Sequence, residues 1–450
     1  MRKSEAKIAI GPRSAIFAPC KKLGMIIVDE EHEGTYKSEQ TPRYHAVDVA
    51  RIRSRIEGAR LLLGSATPTI DSYYHAMKGM TKIISLDERV AGGTVPMVRL
   101  VDMRQELREG NQTAFSQLLI ESLGRCLESG HQAILLLNRR AYATYVHCLF
   151  CGTVIHCEQC DISMKWHKKA GRLKCHYCGS QKAVPSQCPA CQKKLSFQGA
   201  GTQKIEETLQ ELIPGCRIDR MDQDSMRGKD AHNKALTRFE KKEIDVLIGT
   251  QMIAKGLDFP NVTLVGILSA DTSLNIPDFR AAERTFQLIT QVAGRSGRGN
   301  SPGSVVLQTY RPDHYAVKHA ARQNYEAFFA EEIRIREEHR YPPFVPLVQL
   351  VFFGKTEVRV ADSAHKVAEG MKYLIDREVG KPDSGIIFGP TPALIGKAEN
   401  MHRYSLLLKA DGFSPSILKQ MVQFLLFDKR ENLVSQDVSV SIDVDPQFIA

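Results

Sequence analysis

Short apolar runs recur along the chain, and several of them end in polar or acidic residues. Leu23–Val28 is a continuous apolar run followed by acids, which is typical of a buried parallel strand with function at its C-terminal end. The same pattern recurs at Arg60–Leu63, Ala133–Leu137, Asp245–Ile248, Val262–Leu268 and Val305–Leu307. Helical spacing lies between these runs at Ala114–Ser129, Lys204–Leu212 and Ala281–Gln291. The alternation predicts an α/β fold with parallel sheets, and Ala6–Ile10 predicts a further strand.

Three changes in this pattern mark candidate domain boundaries. Residues 86–113 are rich in glycine, arginine and polar residues and predict a linker between two α/β units. Residues 148–195 interrupt the alternation with dense cysteines, which indicates an insertion. After Tyr341–Phe344 the predicted order is strand 347–353, helix 358–376, strand 385–389, strand 403–409, helix 414–427 and strand 438–444. This β-α-β-β-α-β order predicts a small split-βαβ domain.

The composition is that of a globular protein with more than one core. The chain has 450 residues, of which 43% are hydrophobic and 25% charged, so two to four domains are expected. Its net charge of +10 permits a polyanionic partner, although a solvated basic face is the commoner cause of such a surplus. There is no run long enough for a membrane span and no signal-peptide pattern, so we expect the cysteines to lie in a reducing cytoplasm.

Eight of the eleven cysteines form four Cys-x-x-Cys pairs: Cys148/Cys151, Cys157/Cys160, Cys175/Cys178 and Cys188/Cys191. The two-residue gap lets one tight turn direct two thiolates at one ion, and two pairs complete a tetrahedral four-sulfur shell, so the pattern predicts two Zn²⁺ ions. Gly152 and Gly179, each directly after the second cysteine of a pair, give those turns conformational freedom. Disulfides are disfavoured by the compartment, and an iron–sulfur cluster is the remaining alternative. The spacing leaves sequential and nested pairings open.

Other polar residues surround the cysteines. The histidines are predicted to be bystanders, although one of them could replace a cysteine: His147, His156, His167 and His176. A basic cluster contains the only tryptophan: Lys165, Trp166, His167, Lys168, Lys169, Arg172 and Lys174. Basic residues beside an aromatic ring suit single-stranded nucleic acid, through phosphate pairing and base stacking. A solvated basic loop with a half-buried tryptophan is an equal alternative.

Four polar motifs follow one another along the chain. Asp29–His32 ends a strand, where acids can hold Mg²⁺ and orient an attacking water. Leu63–Pro68 ends a second strand in small hydroxyl residues, and Gly249–Asp258 is the third motif. In the fourth, Gln291–Gly299, two arginines three residues apart could reach a phosphoryl group as arginine fingers. Each motif alone could be a charged strand end or a basic turn, but all four in this order are not credible as accident.

In this order the motifs resemble the later motifs of superfamily 2 helicases, and the cysteine insertion resembles that of the PriA family of replication-restart helicases. Further segments share the resemblance, which covers essentially the whole chain: Gly11–Pro19, Pro42–Ala46, Leu274–Thr285, Tyr341–Phe344 and Phe388–Ala393. It implies two RecA-like helicase domains, the first incomplete, with a two-zinc insertion of four cysteines per ion and a C-terminal α+β split-βαβ domain. The implied bounds are 1–91 for the first helicase domain, 92–147 with 196–345 for the second, 148–195 for the cysteine module and 346–450 for the last domain.

The resemblance also implies roles for residues of the motor. Asp29 would coordinate Mg²⁺ with ATP, Glu30 would polarise the attacking water, and His32 would link the nucleotide site to the DNA site. Ser65 and Thr67 would couple hydrolysis to movement. The remaining implied residues are the arginine fingers Arg295 and Arg298 and the nucleotide-site positions Gly256, Asp258 and Gln291.

Roles in DNA and metal binding follow from the same resemblance. Glu33–His45 is similar to an aromatic-rich loop that senses single-stranded DNA, with Tyr36 and Tyr44 as stacking candidates beside Trp166 of the cysteine module. Some relatives place a tryptophan in this loop and this chain does not, so the stacking residue stays open. The family's zinc sites are nested, one on Cys148, Cys151, Cys188 and Cys191 and the other on Cys157, Cys160, Cys175 and Cys178. The implied partners of this monomer are single-stranded and forked DNA, primosome proteins and the single-stranded DNA-binding protein, in the nucleoid of a bacterial cytoplasm.

One element of a helicase motor is missing. Such a motor needs a Gly-x-x-x-x-Gly-Lys-Thr/Ser loop ahead of the acidic strand, because backbone amides and the lysine hold the phosphates. Residues 1–28 contain no such loop, and Gly354–Thr356 is a false match because Gln349 stands where its first glycine would be. We therefore expect an N-terminally truncated chain that also lacks the family's N-terminal DNA-binding domain.

Two functions remain in consideration. The first is an ATP-dependent 3′→5′ DNA helicase that binds stalled forks and initiates primosome assembly. The alternative is a non-catalytic, zinc-containing fragment that binds DNA or primosome proteins. A zinc-ribbon protein of transcription is disfavoured by Gln291–Gly299. Because an incomplete parallel sheet exposes an apolar edge, the isolated chain is expected to be poorly soluble.

Overall fold

A computed structural model describes residues 7–86, 96–137, 145–167, 170–197, 202–221, 229–249, 259–294, 303–380 and 387–449. By its internal contacts the chain divides into two units. The first comprises Met1–Ile83, Tyr177–Gly179 and Arg336–Ala450, and the second comprises Ile84–His176 and Ser180–Ile335. Within the described ranges, the helices are all too short or too polar to cross a membrane.

The first unit begins with a pair of parallel strands and two helices. These elements are β1 (Met25–Val28), α1 (Ala46–Glu57), β2 (Arg60–Leu63) and α2 (Ile70–Met77), with 3-10 helices at Arg13–Phe17 and Gly34–Tyr36. Strands β1 and β2 pair in register, with Val28 opposite Leu63. Val28 packs with Val47 and Ala50 of α1, so one face of the pair is covered by the helix.

The strand predicted at Ala6–Ile10 is wrong for the described residues 7–10. These residues belong to no strand, and Ile8 and Ile10 are exposed. Apolar alternation predicts which face of a strand is buried, but a strand also needs a hydrogen-bonded neighbour.

The second unit is built on a parallel sheet. Its elements are β3 (Met97–Asp102), α3 (Met103–Arg108), α4 (Gln117–Glu128), β4 (Gln132–Leu136), β5 (Val146–His147), β6 (Lys165–His167), β7 (Arg172–Lys174), β8 (Gln181–Ala183), β9 (Ser196–Phe197), α5 (Thr202–Leu212), β10 (Ile218–Met221), α6 (Lys229–Glu240), β11 (Val246–Gly249), β12 (Val262–Ile267), α7 (Asp271–Leu274), α8 (Ala281–Ala293), β13 (Ser304–Thr309), α9 (Tyr315–Ala321) and α10 (Tyr325–Glu338). Six strands form the sheet in the order β10-β11-β4-β12-β13-β3, and every pair is parallel. The fully buried strands β4 and β11 are the continuous apolar runs of the sequence.

Part of the predicted linker 86–113 is instead regular structure. Met97–Asp102 is strand β3, paired along its whole length with β13, and helix α3 follows directly. As an edge strand, β3 has a neighbour on one side only and can carry polar side chains such as Arg99. Its composition therefore resembles a linker more than a buried strand.

The cysteine-rich segment contains only short antiparallel pairings among its described residues. Strand β5 pairs with β9, and β6, β7 and β8 form a small meander. The segment therefore has little regular structure of its own to hold it together.

The C-terminal part of the first unit is an antiparallel sheet covered by helices. Its elements are β14 (Leu347–Gly354), α11 (Glu357–Val379), β15 (Ile387–Ala398), β16 (Met401–Lys409), α12 (Pro415–Gln423), α13 (Arg430–Leu433) and β17 (Ser439–Val444). The strand order is β15-β16-β14-β17, and residues such as Leu350 and Phe352 pack against Val367 and Met371 of α11. The predicted β-α-β-β-α-β order is confirmed. The helix predicted over 414–427 ends as an α-helix at Gln423 and continues as a π-helical turn at Phe424–Asp428.

Candidate functional site

The acidic motif Asp29–His32 and the hydroxyl motif Leu63–Pro68 meet at the carboxyl ends of β1 and β2. The Glu31 amide donates to the Gly64 carbonyl at 3.0 Å, and the Gly64 amide donates to the Val28 carbonyl at 2.8 Å. Because β1 and β2 are parallel neighbours, both motifs emerge at the same edge. The structure thus brings together five predicted motor residues: Asp29, Glu30, His32, Ser65 and Thr67.

A buried histidine connects the two motifs. His32 Nδ1 lies 2.7 Å from Ser65 Oγ, and Ser65 Oγ also accepts a hydrogen bond from the Thr67 amide at 3.0 Å. Glu30 Oε2 lies 3.4 Å from the same His32 nitrogen. The imidazole therefore contacts both the acid proposed to orient water and the hydroxyl that follows β2.

Glu31, the third acid of the motif, was assigned no role from the sequence, and its side chain is buried. Glu31 is 4% exposed and accepts hydrogen bonds from the Thr69 amide at 2.6 Å and from Ser72 Oγ at 2.9 Å. Its carboxylate thereby caps the N-terminus of α2, where the helix dipole favours negative charge. The one available signal was a third consecutive acid after a buried strand.

The two preceding acids face solvent. Asp29 is exposed and Glu30 is 46% exposed in its side chain. Glu30 adopts a left-handed backbone with φ of 47°, at the point where the chain turns from exposed acids to the buried Glu31. Carboxylate oxygens are the ligands that Mg²⁺ prefers, so the donor chemistry at Asp29 fits Mg²⁺ carried by ATP.

The predicted DNA-sensing loop is fixed close to this acidic edge. The Tyr36 hydroxyl donates to the Asp29 carbonyl at 2.6 Å. Burial, together with the negative charges of Asp29, Glu33 and Glu30, raises the pKa of Tyr36 above its ordinary value. Tyr36 is thus bonded at its hydroxyl and only partly exposed at its ring.

The other tyrosine of the loop belongs to an aromatic pair. The rings of Tyr44 and Phe17 are 5.0 Å apart at 75°, and Phe17 is 58% exposed. Phe17 lies in the Gly11–Pro19 motif, and nothing in the residue pattern singled it out. An exposed ring braced by a second ring is the kind of surface on which a base stacks.

The eight paired cysteines form two clusters. One contains Cys148, Cys151, Cys188 and Cys191, and the other contains Cys157, Cys160, Cys175 and Cys178. Within each cluster the sulfur atoms all lie within 4.8 Å of one another. Four sulfurs at Zn–S distances of about 2.3 Å stand about 3.8 Å apart in a tetrahedron, so both clusters fit Zn²⁺. The grouping is the nested one, and neither cluster includes a histidine.

All four Cys-x-x-Cys turns share one backbone pattern. The amide of the first cysteine donates to the carbonyl five residues later, as from Cys148 to Thr153 and from Cys188 to Lys193. The residue after the second cysteine has a positive φ each time, in order Gly152 (76°), Asp161 (49°), Gly179 (78°) and Gln192 (59°). Glycine occupies this left-handed position in two turns, and Asp161 and Gln192 adopt the same conformation in the other two.

The basic cluster of the cysteine module is partly buried. Trp166 lies on β6 opposite Leu173 of β7, and Lys165 lies opposite Lys174. Burial lowers the pKa of both lysines. His167 and His176 bring their Nε2 atoms to 3.0 Å. Lys168 and Lys169 lie outside the described residues.

The second unit holds a buried acid that the sequence did not reveal. Asp271 is 2% exposed and accepts hydrogen bonds from Thr309 Oγ1 and from the Tyr310 amide, both at 2.9 Å. Burial raises its pKa above the ordinary value of 3.8. Asp271 therefore ties α7 to the end of β13.

Of the five remaining predicted motor residues, one lies within the described part of the chain. Gln291 lies near the end of α8, partly exposed, in the second unit. Gly256, Asp258, Arg295 and Arg298 lie outside the described residues. Their assignment to the nucleotide site stays a prediction.

Three family models match the chain. They describe the PriA DNA helicase Cys-rich region domain over residues 157–182, the helicase conserved C-terminal domain over residues 194–300 and the primosomal protein N C-terminal domain over residues 337–447. The predicted fold class, a helicase-type α/β protein with a two-cluster cysteine insertion and a C-terminal split-βαβ domain, is confirmed.

Comparisons along the whole chain point the same way. The chain is 44% identical over 450 residues to the replication restart protein PriA of Bacillus subtilis, covering 100% of this chain and 55% of that protein. It is 40% identical over 453 residues to PriA of Synechocystis sp., covering 98% and 53%. The chain thus spans about half the length of the relatives it matches. A structure of S. cerevisiae Dbp5 bound to RNA and ADP BeF3 matches at 12% identity with a TM-score of 0.36, over 72% of this chain and 64% of that one, which is too low to carry an inference.

Proposed function

The chain belongs to the PriA family of replication restart proteins, and we propose that it carries the later part of an ATP-dependent 3′→5′ DNA helicase motor. The motor would act at stalled forks and start primosome assembly. The observation that carries the proposal is the joining of the acidic and hydroxyl motifs at one sheet edge, through His32 and Ser65. Through this contact, a change at the acidic motif during ATP hydrolysis would alter the position of the hydroxyl motif.

Each motor residue has a chemical task in this proposal. Mg²⁺, when bound with ATP, neutralises phosphate charge. Asp29 supplies a carboxylate ligand for it, and Glu30 orients the attacking water by accepting its hydrogen bond. His32, Ser65 and Thr67 couple the nucleotide-dependent position of the acidic motif to that of the segment following β2. By the family resemblance, Gly256, Asp258 and Gln291 would contribute to nucleotide binding, and Arg295 and Arg298 would act as arginine fingers.

The two cysteine clusters hold two structural zinc ions. Four thiolates around Zn²⁺ leave no open coordination position, so the ions fold the module and take no part in catalysis. This fits a segment whose described strands are only two or three residues long. A module held in this way can present Trp166 and its basic neighbours to DNA.

DNA is the proposed macromolecular ligand. The loop Glu33–His45 offers the aromatic rings of Tyr36 and Tyr44, and the cysteine module offers Trp166 among basic side chains. Such rings suit stacking of the bases of a single strand. Single-stranded and forked DNA, the single-stranded DNA-binding protein and other primosome proteins are the partners that the family suggests.

The deciding experiment is ATP hydrolysis by the 450-residue chain, purified with zinc, with and without saturating single-stranded DNA. Turnover that rises with DNA and is abolished by Glu30→Gln would support the motor. The matched control is Glu57→Gln, because Glu57 lies on the surface of α1 in an i,i+4 pair with Arg53. Equal loss in both variants would point to a stability effect and count against the assignment of Glu30.

A second candidate function is favoured by one observation, the two closed four-cysteine clusters, which need no catalytic role. In this alternative the chain is a zinc-containing module that binds DNA or primosome proteins. Fluorescence anisotropy with a labelled single strand distinguishes the two. Tight binding without hydrolysis supports the module, and binding with DNA-stimulated hydrolysis supports the motor.

A further inference from the structure

A small hairpin follows the acidic motif. Lys37 bridges to His45, and the Ser38 amide donates to the Tyr44 carbonyl at 2.8 Å, so residues 37–45 fold back on themselves. Each arm of the 37–45 hairpin supplies one cation, Lys37 from the first arm and Arg43 from the second.

Both cations meet one carboxylate on the last strand of the chain. Lys37 Nζ lies 2.8 Å from Asp443 Oδ1, and Arg43 Nη1 lies 3.0 Å from Asp443 Oδ2. Lys37 Nζ also donates to the Val444 carbonyl at 2.6 Å. Asp443 belongs to β17, so this strand forms ion pairs with both arms of the 37–45 hairpin.

The ion pairs are shielded from water. The side chains of Lys37 and Asp443 are 8% and 9% exposed, and that of Arg43 is 29% exposed. Surface ion pairs contribute little, but removing one partner from a buried pair leaves a desolvated charge at high cost. Here the loss of one carboxylate would leave two cations together. Asp443 therefore constrains the hairpin far more than an exposed acid would.

The hairpin is continuous with the acidic edge. Tyr36, directly before Lys37, donates to the Asp29 carbonyl, and Arg13 donates to the carbonyls of Thr35 and Lys37 at 3.0 Å. Two successive residues thus join the end of β1 to the end of β17. The ends of β1 and β17 are therefore connected through the side chains of Tyr36 and Lys37.

We propose that Asp443 is a positioning residue that clamps the 37–45 hairpin to the C-terminal sheet, so that this sheet sets the position of the loop following the acidic motif. The clamp itself stands on the contacts of Asp443. Its consequence for DNA rests on the proposed function of Glu33–His45 as a DNA-sensing loop.

Hydrogen exchange of the 450-residue chain tests the clamp directly. The amides to follow are those of Ser38 and Tyr44, which donate to carbonyls within the hairpin, with Leu350 in the core of the C-terminal sheet as an internal reference. Asp443→Asn should speed exchange at Ser38 and Tyr44 about tenfold or more and leave Leu350 unchanged. Unchanged exchange in the hairpin would overturn the proposal.

The matched control and a rescue separate charge from packing. Asp437→Asn makes the same chemical change in an exposed pair with Arg359, just before β17 begins, and should leave the hairpin unaffected. Adding Lys37→Met to Asp443→Asn removes the more deeply buried cation and should restore most of the protection. Failure of this rescue would overturn a charge clamp, because a packing defect would only be worsened by a second substitution.

A further variant covers the case in which Asp443→Asn does not fold. Lys37→Met alone leaves a neutral Arg43–Asp443 pair, and exchange at Ser38 and Tyr44 should still rise, by less than about tenfold. No rise would overturn the proposal.

The effect on DNA is measured on the same variants by anisotropy with a labelled single strand. Asp443→Asn should weaken binding about fivefold, and the rescued double variant should bind more tightly than Asp443→Asn. If exchange follows the predictions and DNA affinity does not change, the clamp stands and the proposed DNA-sensing role of the loop fails. If neither changes, the clamp fails and the role of the loop is not implicated.

Discussion

His32 Nδ1 and Ser65 Oγ lie 2.7 Å apart across the ends of two parallel strands that are separated in sequence by the whole of α1. The serine hydroxyl also accepts from the Thr67 amide, so one atom serves both a side chain and the backbone that follows β2. The contact links an acidic motif to a hydroxyl motif without any residue between them.

Ser65→Ala should therefore loosen this edge of the sheet. Both His32 Nδ1 and the Thr67 amide lose a partner in a largely buried place, which costs about 1–2 kcal/mol. Native-state hydrogen exchange at the Gly64 and Glu31 amides measures the local opening. Ser129→Ala is the control, because Ser129 is exposed and donates to Arg125 at a helix end. Equal effects of the two substitutions would contradict the importance of the histidine contact.

The nested grouping of the cysteines makes a prediction about zinc stoichiometry. Elemental analysis should find two zinc ions per chain, one in Cys148→Ser/Cys191→Ser and none in Cys148→Ser/Cys157→Ser, because the first pair shares a cluster and the second does not. A sequential grouping would give the reverse. Cys20→Ser should keep both ions, since Cys20 lies in neither cluster.

Gln192, which follows the second cysteine of the fourth turn, has a left-handed backbone that glycine adopts at a lower free-energy cost than glutamine. Gln192 has a φ of 59°, a conformation that costs a side-chain-bearing residue about 1–2 kcal/mol and glycine very little. After the entropy of glycine in the unfolded chain is subtracted, Gln192→Gly should stabilise the module by about 0.5–1 kcal/mol. The midpoint of thermal unfolding of the zinc-loaded chain checks this.

Two controls bracket that result. Lys193→Gly, at the next position and without a positive φ, should lower the midpoint. Gly152→Ala should lower it more, because a Cβ at Gly152 would lie 2.1 Å from the Tyr310 carbonyl oxygen. A destabilising Gln192→Gly would show that the side chain contributes more than the backbone conformation costs.

Asp271 predicts a pH dependence of opposite sign to that of ordinary ion-paired acids. Its pKa in the folded chain is raised by burial above the unfolded value near 3.8. The folded state therefore holds a proton that the unfolded state releases, and stability is lost as pH rises from about 3.8 through the folded pKa. Asp271→Asn removes this titration, so its stability relative to the native chain should increase over that window, by up to about 1.4 kcal/mol per pH unit. Urea unfolding at a series of pH values checks it, and a difference between the chains that is independent of pH would contradict the shift.

Local sequence signals carried a large part of the fold. The apolar run Ala133–Leu137 contains β4, which is buried along its whole length as a central parallel strand should be. The run Leu23–Val28 contains the parallel strand β1, but the predicted burial is wrong for Met25 and Ile27, which are exposed. The final β-α-β-β-α-β order was predictable because strand and helix periods alternate along that segment. The strand predicted from Ile8 and Ile10 was wrong, because apolar alternation carries no information about whether a neighbouring strand exists.

Some chemical features of the site were likewise predictable from the sequence and others were not. Cysteine pairs two residues apart predict a metal site because one turn suffices to direct both sulfurs at one ion, and acids after a buried strand predict an exposed edge with charge. The left-handed turns at Asp161 and Gln192 had no such signal, because residues other than glycine adopt that conformation uncommonly and no spacing rule marks where they do.

The sequence by itself determined the residue types at the site, the parallel α/β class, the eight candidate zinc ligands and the split-βαβ order, because each depends on spacing within one segment. Only the tertiary structure decided which cysteines share a cluster, that Glu31 turns inward to cap α2, and that Asp443 forms ion pairs with Lys37 and Arg43. Lys37 and Asp443 stand 406 positions apart, shown by their numbers in the sequence, 443 − 37. Contacts between residues so far apart in sequence arise from the packing of whole elements, so the residues around one partner do not predict the other.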